Sequence, residues 1–339
     1  MKARIALSSL VLALAALFVA NLYWGAVHIP ADAVTRILLG GEAERPSWGF
    51  ILWENRLPQA LTAVLSGAGL SVAGLMLQTA FRNPLAGPSI LGIDSGANLG
   101  VAIVMLLLGG SLTAGSVSLG GFLLVIVAAM LGAWAVMAVL IAFSRVLRSN
   151  TLLLITGVMI GYLTSSAISL LNYGATEEGV RSFMVWGLGS FANVTVDRLL
   201  PFCLSMGVGL LLALLLVKPL NALLLGESYA ANLGINVSRT RTLLLFTTGL
   251  LTATSTAFCG PIAFVGLAVP HVARLLLTSS DHRALLPATA LTGACLTLLC
   301  NLISTLPSAT IIPINVITPI LGAPVVIGVL LRMRNSQTL

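Results

Sequence analysis

The sequence predicts an all-α, polytopic membrane protein with about ten transmembrane helices, and three observations carry that prediction. The 339 residues are 58% hydrophobic and only 8% charged, with a mean hydropathy of +1.06. Soluble domains carry about 25% charged residues. The apolar residues gather into runs near the roughly 20 residues that cross a bilayer as a helix. The basic residues, finally, fall mostly in alternate connections between those runs.

Taken in order, Ile5 to Gly25 is an apolar run behind Lys2 and Arg4. It exceeds the roughly 7 to 15 apolar residues of a signal peptide, so an uncleaved first span is expected. Ala26 to Arg56, with Asp32, Glu42, Glu44 and Glu54, reads as a polar external stretch. Span two is Leu57 to Phe81, closed by a polar turn at Arg82 and Asn83, and span three runs from Ser89 to Leu108. A Gly/Ser-rich return, Gly109 to Ser118, leads to span four, Leu119 to Phe143, and to Arg145 and Arg148. Span five is Leu152 to Leu171, a polar connection covers Asn172 to Asp197, and span six is Arg198 to Val217. Gly260 and Pro261 divide a long apolar stretch into spans seven, Thr242 to Cys259, and eight, Pro261 to Leu277, with Pro270 as a kink. Spans nine and ten are Leu285 to Ile303 and Asn315 to Leu331.

With both termini cytoplasmic, twelve of the 17 basic residues lie on inner segments and five on outer ones, while seven of the ten acids are outer. That distribution follows the positive-inside rule and explains the net charge of +7 without nucleic acid. The chain thus reads as one transmembrane domain, residues 1–339, with one inner segment that stands apart.

That segment is Pro219 to Arg241, PLNALLLGESYAANLGINVSRTR, far longer than a tight turn. Ser228 is placed to cap a short helix, Tyr229 to Leu233, and Gly234 to end it in a left-handed conformation. So short a helix needs a partner surface, since isolated helices below about 12 residues are marginal in water. Its exposed face is expected to carry Ala230, Ala231 and Leu233, suited to a groove on another protein. An ordinary inter-helix loop is the alternative.

Chemistry is sparse. Cys203, Cys259, Cys295 and Cys300 sit in apolar runs and read as small hydrophobes. The three histidines are far apart, so no metal spacing exists and no cofactor is expected. Lys2 and Lys218 are the only lysines, and neither stands in a phosphate-cradling P-loop. No nucleophile and base pair suggests an enzyme, and without a P-loop any energy the chain uses must come from outside it. Asp94 alone approaches a span as an acid, either as a locally hydrogen-bonded carboxylate or as an ion-coupling group. Gly157, Gly161, Ser165 and Ser169 recur every fourth residue along span five, a stripe that serves close helix packing or a polar pathway.

RNPLAGPSILGIDSGA (Arg82 to Ala97), GPIAFVGLAVPHVAR (Gly260 to Arg274), DHRALLP (Asp281 to Pro287) and LGAP (Leu321 to Pro324) occur in that order. With them the chain resembles the FecCD-like permease subunits of bacterial ABC importers for iron-siderophores, haem and cobalamin. The likeness covers Arg56 to Leu331. It implies a type II importer architecture in the inner membrane and a second permease subunit, most simply a homodimer. It also implies two cytoplasmic ATPases and a periplasmic substrate-binding protein. It makes Gly226 to Asn236 the coupling region, in which Glu227, Ala230, Leu233 and Gly234 match the family's GE-x-x-A-x-x-LG pattern.

The resemblance further assigns Arg56 to docking of the binding protein, and Asn150 and Thr151 to a cytoplasmic gate, where a helix cap is the alternative. His271 fits the family's PH-x-x-R block and reads as helix glue before metal ligand. Departures are Gln59 and Thr305, where the family carries arginine, Asn301 in place of an aspartate and Ile311 in place of a glutamate. These leave docking resting on Arg56, with Arg181 as a substitute, and make the pathway less charged. Iron-siderophore is the first cargo expectation as the commonest in the family. Haem and cobalamin are its alternatives, and an ion-coupled secondary carrier is the competing class.

Overall fold

The computed structural model describes residues 2–107, 119–147, 149–306 and 311–337. The return at 109–118, Arg148, and the side chains of Lys2, Arg332 and Arg334 lie outside the described residues. The described elements are helices: α1 (Lys2–Tyr23), α2 (Ala31–Leu38), α3 (Pro46–Phe50), α4 (Leu57–Phe81), α5 (Ile93–Ala102), α6 (Leu119–Val146), α7 (Asn150–Gly174), α8 (Glu177–Gly187), α9 (Val196–Leu215), α10 (Val217–Leu224), α11 (Glu227–Asn232), α12 (Val237–Cys259), α13 (Val265–Leu277), α14 (His282–Thr305) and α15 (Ile314–Gln337). Wide π-type turns at Ile51–Arg56 and Ile103–Leu107 adjoin α4 and α5.

Among the described residues, seven helices are long and apolar enough to cross a membrane. Three apolar helices, Ile93–Leu107, Val265–Leu277 and Ile314–Val329, are shorter. Together they account for the ten expected spans. Local backbone chemistry explains two of the shorter ones. Before α5, Gly87-Pro88 and the left-handed Gly92 (φ +75°) hold the chain in successive turns, so the helix starts four residues after the expected Ser89. After α12, Gly260 (φ +77°) and Pro261 open a non-helical stretch that ends at Phe264, itself left-handed (φ +67°).

At the centre stands α4, against which α14, α12, α13 and α9 pack. Small residues permit that approach: a Cβ on Gly74 would overlap the carbonyl of Gly266, and one on Gly67 would overlap that of Gly293. Within a membrane, helices associate through such close contacts because lipid tails are as apolar as the side chains. Gly96 meets Gly132 in the same way between α5 and α6. On the rim, α7 leans on the turn before α5, where a Cβ on Gly157 would fall 2.8 Å from the Leu91 Cα.

Two stretches expected as plain polar connections are structured. Residues 26–56 fold α2 onto the end of α1 around Ile29, Val34, Ile37 and Leu52. The connection after α7 forms α8, whose first turn holds Glu177 and Glu178 and whose cap is Thr176, accepting from the Gly179 amide at 3.2 Å.

Candidate functional site

The short helices α10 and α11 lie at the end of the bundle where α4 finishes and α7, α12 and α14 begin. Ser228 is not the cap of α11. The helix starts two residues before the expected Tyr229 because Gly226, at φ +109°, reverses the chain where an L side chain would be strained. Gly234 does terminate it, at φ +81°, with the Ile235 amide donating to Ala230 O at 3.1 Å and the Gly234 amide to Ala231 O at 2.9 Å. Ala230 is fully buried rather than exposed. The outward face carries Tyr229, Ala231 and Leu233, with Leu233 59% exposed. Asn236 caps α12, its Oδ1 accepting from the Arg239 amide at 2.9 Å.

Three side chains from three helices then close a triangle. Arg241 on α12 donates through Nη2 to Glu227 Oε1 at 2.6 Å and to Asn150 Oδ1 at 2.9 Å. Asn150, the first residue of α7, donates through Nδ2 to the same Glu227 oxygen at 3.2 Å. Asn150 is not the helix cap; Ser149 is, accepting from the Leu152 amide at 3.4 Å. Thr151 beside it is exposed. The sequence put Glu227 and Asn150 in separate roles, and the fold brings them into contact through an arginine read only as a basic flank.

A second polar chain ties α10 to the core. Asn221 Nδ2 donates to Asp281 Oδ1 at 2.7 Å, and its Oδ1 accepts from the His282 Nδ1 at 2.9 Å. The other ring nitrogen of the fully buried His282 lies 2.8 Å from Thr79 Oγ1 on α4. The Asp281 carboxyl, capping α14, is held below its usual range by the Arg283 amide and by Asn221. His271 lies 2.9 Å through Nε2 from the Pro84 carbonyl, which only an N–H can satisfy, so it bridges α13 to the turn before α5. Among the described residues no group of His, Cys, Asp or Glu is placed to hold a metal ion.

At the opposite end Arg56, expected on the docking rim, is turned inward and only 6% exposed. Its guanidinium donates to the carbonyls of Leu22, Tyr23 and Val27 at 2.7, 3.0 and 2.5 Å. The first two are carbonyls left open at the end of α1, which the arginine satisfies. Gln59 and Asn301 are direct partners: Gln59 Nε2 donates to Asn301 Oδ1 at 2.9 Å, and Asn301 Nδ2 donates to Asn21 Oδ1 at 2.8 Å. The two departures from charge thus form one neutral amide chain joining α1, α4 and α14. Thr305 turns back on its own helix, donating to Asn301 O at 3.1 Å, and Ile311 is exposed. Arg181 is exposed on α8, beside Glu178 and Trp186, at the mouth of a cavity of about 620 Å³.

Asp94 is buried between hydroxyls, accepting from Ser89 at 2.6 Å and from Thr256 at 2.8 Å. Along the stripe of α7, Gly157 is buried against the turn before α5, Gly161 is half-buried, and Ser165 and Ser169 are exposed. A groove lined by Ser89, Ile90, Gly157, Gly161 and Ser165 runs along that face.

The model of the FecCD transport family matches residues 13–332. The vitamin B12 import system permease protein BtuC of Klebsiella pneumoniae is 38% identical over 84% of this chain and 83% of its own length. The protein of the same name from Citrobacter koseri is 37% identical over 84% and 83%. A solved structure, an inward-facing conformation of an ABC transporter described provisionally as metal-chelate type, aligns with a TM-score of 0.83 and 33% identity over 96% of this chain and 98% of that one. With a family match over nearly its whole length, the chain belongs to the FecCD transport family and is a permease subunit of an ABC importer, not an enzyme.

Proposed function

We propose that this permease carries a corrinoid of the cobalamin class from periplasm to cytoplasm. The observation behind the proposal is that the relatives at 36 to 38% identity are named as vitamin B12 permeases. The iron-siderophore expectation, which rested on frequency within the family, gives way to that. The uncharged face of α7 is compatible with a bulky cargo whose periphery is mostly amide and methyl. A ferric chelate is the second reading, favoured by the metal-chelate description of the solved neighbour.

In this reading two copies line the pathway with α7, the inner membrane holds both termini cytoplasmic, and a periplasmic protein delivers cargo. The α11 face of Tyr229, Ala231 and Leu233 seats on one of two ATPases. Uptake of radiolabelled cobalamin, ferric siderophores and haem, in a strain lacking this chain and in the same strain with it restored, tests the cargo. Restored cobalamin uptake that needs the ATPase is the expected result; restoration of a ferric chelate alone selects the second reading. Uptake that survives loss of the ATPase and collapses with an uncoupler would return a secondary carrier. Leu233→Asp tests the seat, and loss of the ATPase from the purified complex with the permease still folded is expected. Ala230 cannot serve for that test, because its burial makes a charge there disrupt α11 itself.

A further inference from the structure

We propose that Arg241 is the positioning residue that joins the ATPase-seating helix α11 to the start of α7, so that the two shift as one piece. The inference rests on the coupling reading of α11 given above. Six residues are too few for α11 to hold its own orientation. Its register is set by the burial of Ala230 on one side and by Glu227 on the other.

The Glu227 carboxylate is shared. One oxygen receives the guanidinium at 2.6 Å and the Asn150 amide at 3.2 Å, while the guanidinium also holds the Asn150 carbonyl at 2.9 Å. A further, longer contact of 3.5 Å runs from Nη1 to Ser144 O near the end of α6. One arginine thus reaches the ends of three helices besides its own.

The pair differs from the other ion pairs among the described residues. Arg36 and Glu44 are both about half exposed, at 51% and 55%, and Arg198 pairs with its sequence neighbour Asp197. An exposed pair such as Arg36–Glu44 contributes little. The Arg241 side chain is 13% exposed and that of Glu227 39%, against 20% and 50% for Arg198 and Asp197, and the Arg241 bonds are charge-assisted and partly withdrawn from water. A push on the Tyr229 and Leu233 face reaches the first residue of α7 through these atoms. No longer path through packed side chains is needed.

The test uses the complete importer, permease with its ATPase and binding protein, in proteoliposomes. Radiolabelled cobalamin is the probe, or a labelled ferric chelate if the uptake assay selects it. The quantity read is cargo imported per ATP hydrolysed. Arg241→Met is expected to lower it by about tenfold, the scale of a typical coupling between sites, while the ATPase still co-purifies and still hydrolyses ATP. Arg241→Lys, which keeps the charge but not the planar fork, is expected to recover part of it, to a value between Arg241→Met and the unsubstituted importer.

Asn150→Ala keeps the ion pair and cuts the link to α7, together with a long contact of 3.4 Å from Asn150 Nδ2 to Ala80 O on α4, and it is expected to fall as far as Arg241→Met. A wild-type ratio in Asn150→Ala overturns the proposal, even if Arg241→Met fails to fold. Loss of the ATPase from Arg241→Met overturns it as well, since the arginine would then serve the seat. Import by the unsubstituted complex without ATP would instead overturn the reading of function, and would be seen before any variant is measured.

Discussion

Helices α4 and α7 are each 25 residues long and apolar, yet the apolar window of one is 83% buried and that of the other 22%. The difference lies in where their small residues fall. In α4 they face several neighbours at once: Gly67 meets α14, Gly74 meets α13, and Gly69 meets Met206 of α9 and Leu251 of α12, so neighbours close in on more than one side. In α7 they lie along one line, and only Gly157 is used for close contact. Two helices of one class of composition are thereby assigned to different tasks: one is the post around which the bundle is built, and the other a wall left for something else to meet.

The strongest way to break that contrast is to load the post. Gly74→Leu would drive a side chain into the backbone of α13, and overpacking of a core costs roughly 3 kcal/mol or more when backbone must move. Loss of monodisperse protein from detergent extracts is the expected outcome. The same size change on the wall sharpens the contrast. Ser165→Leu on exposed α7 should leave expression and melting temperature unchanged and cut cargo uptake by about tenfold, read in whole-cell uptake against an unchanged membrane fraction.

How much of this was legible follows from the same two helices. The inner end of α4 was read to the residue, Phe81, because Arg82-Asn83-Pro84 is local punctuation and Arg82 turns left-handed there, whereas at the other end the helix runs on through the wide turn Ile51–Arg56 to Pro46. The stripe on α7 was legible as spacing, but which of its members touch another helix depends on Leu91 and Gly92, some 65 residues earlier in the chain. For α11, local pattern located the helix and its terminating Gly234 but not its orientation. Six residues give no periodicity, so the burial of Ala230 is set by the tertiary fold. Arg56 and Arg241 were legible only as charges beside spans. Their hydrogen bonds cross to Tyr23 and Asn150, and no local signal foretells such contacts. Helix α8 had a signal that went unread: Thr176 before Glu177 and Glu178 is a helix start.

Smaller effects test how α10 is fastened to the post. His282→Ala would leave Asn221 and Thr79 without their shared partner, a cost of about 1–3 kcal/mol for buried polar groups. A lower melting temperature is expected, with ATPase association retained. The smallest effect is electrostatic. Because the folded state holds the Asp281 carboxyl below its usual range, its contribution is complete at neutral pH and fades as pH falls through the depressed value. The melting-temperature gap between the wild type and Asp281→Ala should therefore narrow on acidification. A gap that widens instead would mean that the charged carboxylate is unfavourable where it stands.

The amide of Asn150 has a further consequence. It presents a donor and an acceptor on one planar group, and turning it end for end exchanges them. The triangle is therefore symmetric under reversal of its charges. A chain with Glu227→Arg and Arg241→Glu would be able to form the same three bonds around a flipped amide while showing the ATPase an inverted charge at the root of its proposed seat. Paired with an ATPase reversed to match, such a chain would form a private subunit set, able to work in one cell beside the native importer without exchanging parts with it.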